Sequence, residues 1–180
     1  MSTEGAALAA SILLHVQLER PLQPAPFRFA IFIGASLPFS VSPDLGVDVT
    51  NIWSSTQPLS GDLSSWLSST NSIAQEGTDS TQQSNDQVLV SGVDKDTGQI
   101  RHFHPDSTPP PPKISIPVAH IYGRKDPYYT QSLQLVRLCD QTVSSVFEHE
   151  DGHCIPRGQR VSKGITNVIE KTIYKAEMMC

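Results

Sequence analysis

Residues 5–18 are apolar almost all round a helical wheel, with Leu8, Ile12, Leu13 and Val16 set among alanines. A helix without a polar face is normally buried, so this segment is expected inside a layered fold. Pro21, Pro24 and Pro26 stop it. Residues 27–34 are rich in Phe and Ile and alternate little, which predicts a strand covered on both faces, closed by a turn at Gly34 on the rim where a site would lie. Strand and helix alternate again near the C-terminus. Residues 114–121 and 143–147 are strand-like. Residues 130–140 form a helix with Leu133, Leu135, Val136 and Leu138 inward, and residues 163–176 a closing helix with Ile165, Val168, Ile169 and Ile173 at near-helical spacing. This order predicts an α/β fold with about three parallel core strands and flanking helices.

Between residues 40 and 113 the pattern breaks into a polar insertion or lid. Ser, Thr, Asn, Gln and Asp dominate residues 53–87, too polar a stretch to bury much surface. Trp53 and Trp66 stand out in it, as lid contacts over a pocket or as ordinary anchors for the loop. Residues 87–93 and 99–104 alternate about the turn 94–98 and predict a β-hairpin. Pro109 to Pro112 make a stiff, extended lead-in to the next strand.

Composition narrows the classes. The chain has 180 residues, suited to one domain spanning residues 1–180, a formal charge of −5 and a pI near 5.6. Its scattered Lys and Arg argue against a nucleic-acid partner. Cys139, Cys154 and Cys180 have neither paired nor metal-like spacing, which predicts reduced thiols and a cytoplasmic protein. Residues 6–16 are too short an apolar run to span a bilayer, and Glu4 stands where a signal peptide would be basic, so no membrane association is expected.

The chemistry gathers at the ends of the last two strands. Ligands bind outside the carboxyl ends of strands in an open parallel sheet, so Asp126, closing PVAHIYGRKD, and His153, closing VSSVFEHEDGH, are expected on one rim. An acid and a base are what nucleophilic acyl transfer needs, the base to take a hydroxyl proton and the carboxylate to fix the imidazole tautomer. The plainer reading of the two is a loop-capping Asp and a packed surface His. No cofactor or metal is expected. His149 and His153 are four apart but in a loop, His102 and His104 on one hairpin face are read as a solvated pair, and residues 94–98 lack the closing glutamate of a calcium loop. Cys154 adjoins His153, but loop neighbours seldom face one another.

Four stretches, EGAALAASILL, FRFAIFIGASLPF, AHIYGRKDPYYTQSLQLVRLCD and VFEHEDGHCIPR, together resemble the fungal serine hydrolases of the α/β-hydrolase fold, a family that includes polyketide-releasing thioesterases. The resemblance implies the C-terminal part of that fold. It also implies an ester or thioester hydrolase in secondary metabolism, with Asp126 as triad acid in its Gly123 and Pro127 setting and His153 as base in its Gly152, Ile155 and Pro156 setting. An acyl ester or thioester substrate and a polyketide synthase partner are implied with it.

The family's G-x-S-x-G elbow places a serine two residues before the glycine that opens a helix. That glycine is Gly5 here, so Thr3 takes the nucleophile's place and Met1 that of the first glycine, and the family pattern expects further sequence upstream. Ser2 is one position out of register. A plainer reading makes Ser2, Thr3 and Glu4 a capped helix start. Three alternatives to hydrolysis by Thr3 therefore stand: an inactive remnant kept for binding or scaffolding, a shortened reading frame, and a lyase or isomerase with His153 as general base. A central strand turned into a sheet edge would also invite homo-oligomer formation.

Overall fold

The computed structural model describes residues 3–50 and 99–179. Helix α1 spans Thr3–Glu19 and strand β1 Ala30–Ile33. The short strands β2 (Phe39–Ser40), β3 (Val47–Asp48) and β4 (Arg101–His102) follow. The chain ends with β5 (Val118–Gly123), α2 (Tyr129–Arg137), β6 (Ser145–His149) and α3 (Gln159–Met178). β1, β5 and β6 form a parallel sheet in the order β1-β5-β6, as expected of the α/β class.

Strand parity assigns the layers. Phe32 pairs with His120, and Phe32 and Val118 join one buried cluster with Leu13 and Leu14 of α1 and Leu135 of α2. Ile121 pairs with Phe147 and therefore points to the other face, where Gly164 of α3 meets the Phe147 ring. Helices thus cover both sides of the sheet, and β5, buried at all six positions, is its centre. Each fully buried Leu or Ile of this core contributes roughly 1.5–3 kcal/mol. No helix among the described residues is long and apolar enough to cross a membrane.

Several boundaries differ from the sequence reading for local reasons. β5 begins at Val118, because Pro117 has no N–H to donate and Ile114 makes only an isolated bridge to Cys139. β6 begins at Ser145, because Asp140 first draws the N–H groups of Thr142 (2.9 Å) and Ser144 (3.0 Å) into a turn. Neither α1 nor β1 is covered all round. Leu8 is 52 % exposed and Ile12 38 %, and Ile31 is 37 % exposed, because β1 lies at the end of the sheet order.

The expected hairpin is replaced by other pairing in its described arm. Arg101–His102 is the middle strand of a small antiparallel sheet, β2-β4-β3. Residues 87–93, the turn 94–98, Trp53 and Trp66 lie outside the described residues. His102 and His104 are both buried rather than solvated; Phe39 packs edge-on against His102, whose strand β4 is paired on both sides by distant segments.

Candidate active site

β5 and β6 run parallel, so their carboxyl ends emerge together, and the loops that follow are tied to each other. Arg124 donates its N–H to the His149 carbonyl at 2.8 Å and Lys125 to that of Asp151 at 3.2 Å. Gly123 permits this closeness, for a Cβ there would lie 2.0 Å from the Asp151 carbonyl oxygen and 2.7 Å from that of Gly152. Both obstacles are backbone. Gly123→Ala is therefore expected to lower stability by about 1–3 kcal/mol, read as a fall in the urea midpoint at unchanged slope. An unaltered midpoint would contradict the close approach. Outside the loops, Arg124 pairs with Glu148 and, at 3.3 Å, with Glu150, while Tyr129 donates its hydroxyl to Glu148 at 2.9 Å. Arg124 and Glu150 are exposed and Glu148 is partly so, and ion pairs in such a setting add little stability.

Asp126 sits in a tight turn between β5 and α2. Its N–H donates to the Gly123 carbonyl (3.1 Å), its carbonyl accepts the N–H of Tyr129 (3.0 Å), and its Oδ1 accepts the N–H of Tyr128 (2.8 Å). This self-bonded turn is what Asp favours ahead of a helix. The carboxylate is buried, at 5 % exposure, and its remaining oxygen, Oδ2, lies 2.9 Å from Nδ1 of His153. The His153 side chain is 23 % exposed, and the Tyr128 ring packs edge-on against it at 5.6 Å between centroids. The two residues predicted to share a rim are in direct contact.

Thr3 is the first residue of α1, and Ser2 lies outside the described residues. Cys154 is exposed, and its N–H turns back to the Gly152 carbonyl at 2.8 Å. His149 is buried at the end of β6, while His153 lies out in the loop beyond it.

Sequence reasoning missed how the β1 end is held. The Ser132 hydroxyl of α2 donates to the Ala35 carbonyl at 2.8 Å, and Gln131 Oε1 accepts the Leu37 N–H at 3.1 Å. Both polar side chains are buried on a helix otherwise read by its leucines. Leu133, expected to face inward, is 36 % exposed, and Leu135 with Gln131 and Ser132 makes the buried side instead; the one available signal was that Gln131 and Ser132 follow the Asp126 turn directly.

The geometry agrees with what comparison with known proteins finds. A family model described as Serine hydrolase (FSH1) matches residues 2–165. Esterase alnB of Emericella nidulans is 27 % identical over 169 residues, which covers 86 % of this chain and 59 % of that protein. Hydrolase FUB4 of Gibberella moniliformis is 26 % identical over 159 residues, covering 86 % and 58 %. Over a shorter stretch of 76 residues the identity to esterase FUS5 of Gibberella fujikuroi is 38 %, covering 42 % and 31 %. The chain thus spans less than two thirds of the length of these fungal relatives. No solved structure matches it. With a parallel sheet between helices, an Asp–His pair at its carboxyl rim and a family match over most of its length, the chain belongs to the serine hydrolase (FSH1) family of the α/β-hydrolase fold.

Proposed function

We propose that this chain carries the acid and base of ester or thioester hydrolysis, with Asp126 holding His153 and His153 exchanging the proton of an attacking hydroxyl. The observation that carries this reading is the 2.9 Å contact between the buried Asp126 carboxylate and Nδ1 of His153. A carboxylate on Nδ1 favours the tautomer with its proton there and leaves Nε2 as the proton acceptor. When the hydroxyl adds to the acyl carbon, the imidazolium formed is stabilised by the same carboxylate, and the proton then passes to the leaving alkoxide or thiolate. Water repeats the sequence on the acyl intermediate.

Thr3 is proposed as the hydroxyl of this chain, on the family's spacing to Gly5. Acyl thioesters, including polyketide chains released from a synthase, are the proposed substrates. Support comes from the resemblance to releasing thioesterases and from relatives named esterases and hydrolases. A cytoplasmic site of action is part of the same proposal. Turnover of p-nitrophenyl esters by wild type and by His153→Ala tests the reaction class, and equal rates would discard it. A fluorophosphonate probe with intact-mass detection tests the nucleophile. Labelling is expected in wild type and lost in Thr3→Ala; labelling that persists would assign the nucleophile elsewhere.

Self-association belongs to the same proposal. Among the described residues β1 pairs only with β5, and Phe27, Phe29 and Ile31 on or beside it are 43 %, 36 % and 37 % exposed. An apolar edge of this kind recruits further strands. Size-exclusion chromatography with light scattering is expected to show masses above that of one chain, rising with concentration. A monomer at every concentration, with a cooperative melt, would contradict this.

A further inference from the structure

After Ile33 the N–H of Gly34 donates to the Ile121 carbonyl at 2.9 Å, one more rung of the β1–β5 ladder. Its φ of +55° then turns the chain out of the sheet. The segment beyond is held from α2 through Ser132 and Gln131, and α2 begins three residues after Asp126. The Gly34 turn and the Asp126 turn are therefore parts of one hydrogen-bonded unit. Neither drifts from the other by loop motion alone.

A Cβ on Gly34 would lie 2.9 Å from Cε1 and 2.9 Å from Nδ1 of His153, and 3.0 Å from Oδ2 of Asp126. Nδ1 and Oδ2 are the atoms of the acid–base contact itself. Two separate demands thus meet at this position. The backbone conformation is one that Asn also adopts, whereas the absence of a Cβ is met by glycine alone. Of the two groups crowded, Asp126 is the more firmly held, since its other oxygen accepts the Tyr128 N–H and its side chain is buried. The half-buried imidazole is the one that would move.

We propose that Gly34 is a positioning residue for the Asp126–His153 pair, its bare Cα forming the wall that seats the imidazole against the carboxylate. The effect on turnover rests on the acid–base role proposed above; the effect on the hydrogen bond does not. A side chain here displaces the ring and lengthens the contact from Nδ1 to Oδ2. Displacements of about 1 Å in a catalytic group lower rates by roughly 10²-fold.

The test compares Gly34→Asn, which tolerates the left-handed backbone but brings a Cβ, with Gly34→Ala and with Gly46→Ala as control. Gly46 has a φ of +86°, and a Cβ there would lie 2.4 Å from the His102 carbonyl oxygen, so its replacement strains a turn without touching the pair. Two readouts are taken, the ¹⁵N spectrum of labelled histidine, which reports the proton on Nδ1 of His153, and kcat and KM for a p-nitrophenyl ester. Gly34→Asn is expected to fold, to lose the Nδ1–H signature as fully as Asp126→Ala does, and to lower kcat about 10²-fold with KM within about threefold. Gly46→Ala is expected to keep both.

A folded Gly34→Asn with an unchanged His153 spectrum and unchanged kcat overturns the proposal, as does an equal loss in Gly46→Ala. Unfolding of both Gly34 variants beside a folded Gly46→Ala also overturns it, because Gly34 would then serve the fold and not the pair. Should the signature vanish in a protein whose wild type hydrolyses no ester, the positioning role stands and the hydrolytic reading fails.

Discussion

Asp126→Asn is expected to lower kcat for ester turnover by about 10³- to 10⁴-fold while KM stays within about threefold. Asparagine is nearly isosteric and uncharged, and its amide oxygen can still accept the Tyr128 N–H that Oδ1 accepts at 2.8 Å. The turn ahead of α2 is therefore kept. What changes is the group facing His153. An amide NH₂ in place of Oδ2 donates to Nδ1, which moves the ring proton to Nε2, and Nε2 then cannot accept the proton of an attacking hydroxyl. Imidazolium formed in the transition state also loses its counter-charge. A loss confined to kcat, with an unchanged urea midpoint, separates this from a structural effect. A loss in KM alone would assign Asp126 to substrate binding.

The second large effect is on stability in mild acid. His102 is 3 % exposed and His120 1 %, and burial pushes each down to about 4, with the nearby His104 adding to the shift at His102. In the unfolded chain both return to their ordinary value near 6.5. Between those limits the unfolded state binds more protons than the folded one, so stability rises with pH across this window. Their contribution is complete above pH 6.5 and is lost progressively as pH falls toward 4. Each neutral histidine is worth on the order of 3 kcal/mol over that span, against a typical domain stability of about 5–15 kcal/mol.

The urea midpoint is accordingly expected to fall steeply from pH 7 to pH 5, and His120→Leu, which removes one titrating group from an apolar site beside Phe32, to make that fall shallower, with His102 and His15, which burial also lowers, keeping their shares. An equal slope in wild type and variant would contradict it.

The parts legible in the sequence were those set by short-range pattern. The order of helices and strands follows from apolar spacing, and Asp126 and His153 stood out because each closes a strand-like run in a setting that the family repeats. What escaped is set by which distant segments come together. β1 has the apolar sequence of a covered strand, yet Ile31 is half-exposed because coverage depends on the sheet order β1-β5-β6 and not on β1 itself. His102 and His104 alternate as a solvated hairpin face would, but both are buried, and β2 and β3, more than fifty residues upstream, pair along both edges of the strand that carries His102. Gly34 could be read as a turn. That its missing side chain leaves room for a histidine more than a hundred residues later could not.

Asp126 and His153 are proposed to act as one unit, and a double-mutant cycle measures that directly. Rates of p-nitrophenyl ester hydrolysis are compared for wild type, Asp126→Asn, His153→Ala and the double variant, all with matching circular dichroism. Because the carboxylate acts only through the imidazole, the double variant is predicted to be no slower than His153→Ala alone. Losses that multiply, with the double variant slower by the product of the two single effects, would mean that the two residues act independently and would contradict the acid–base pair.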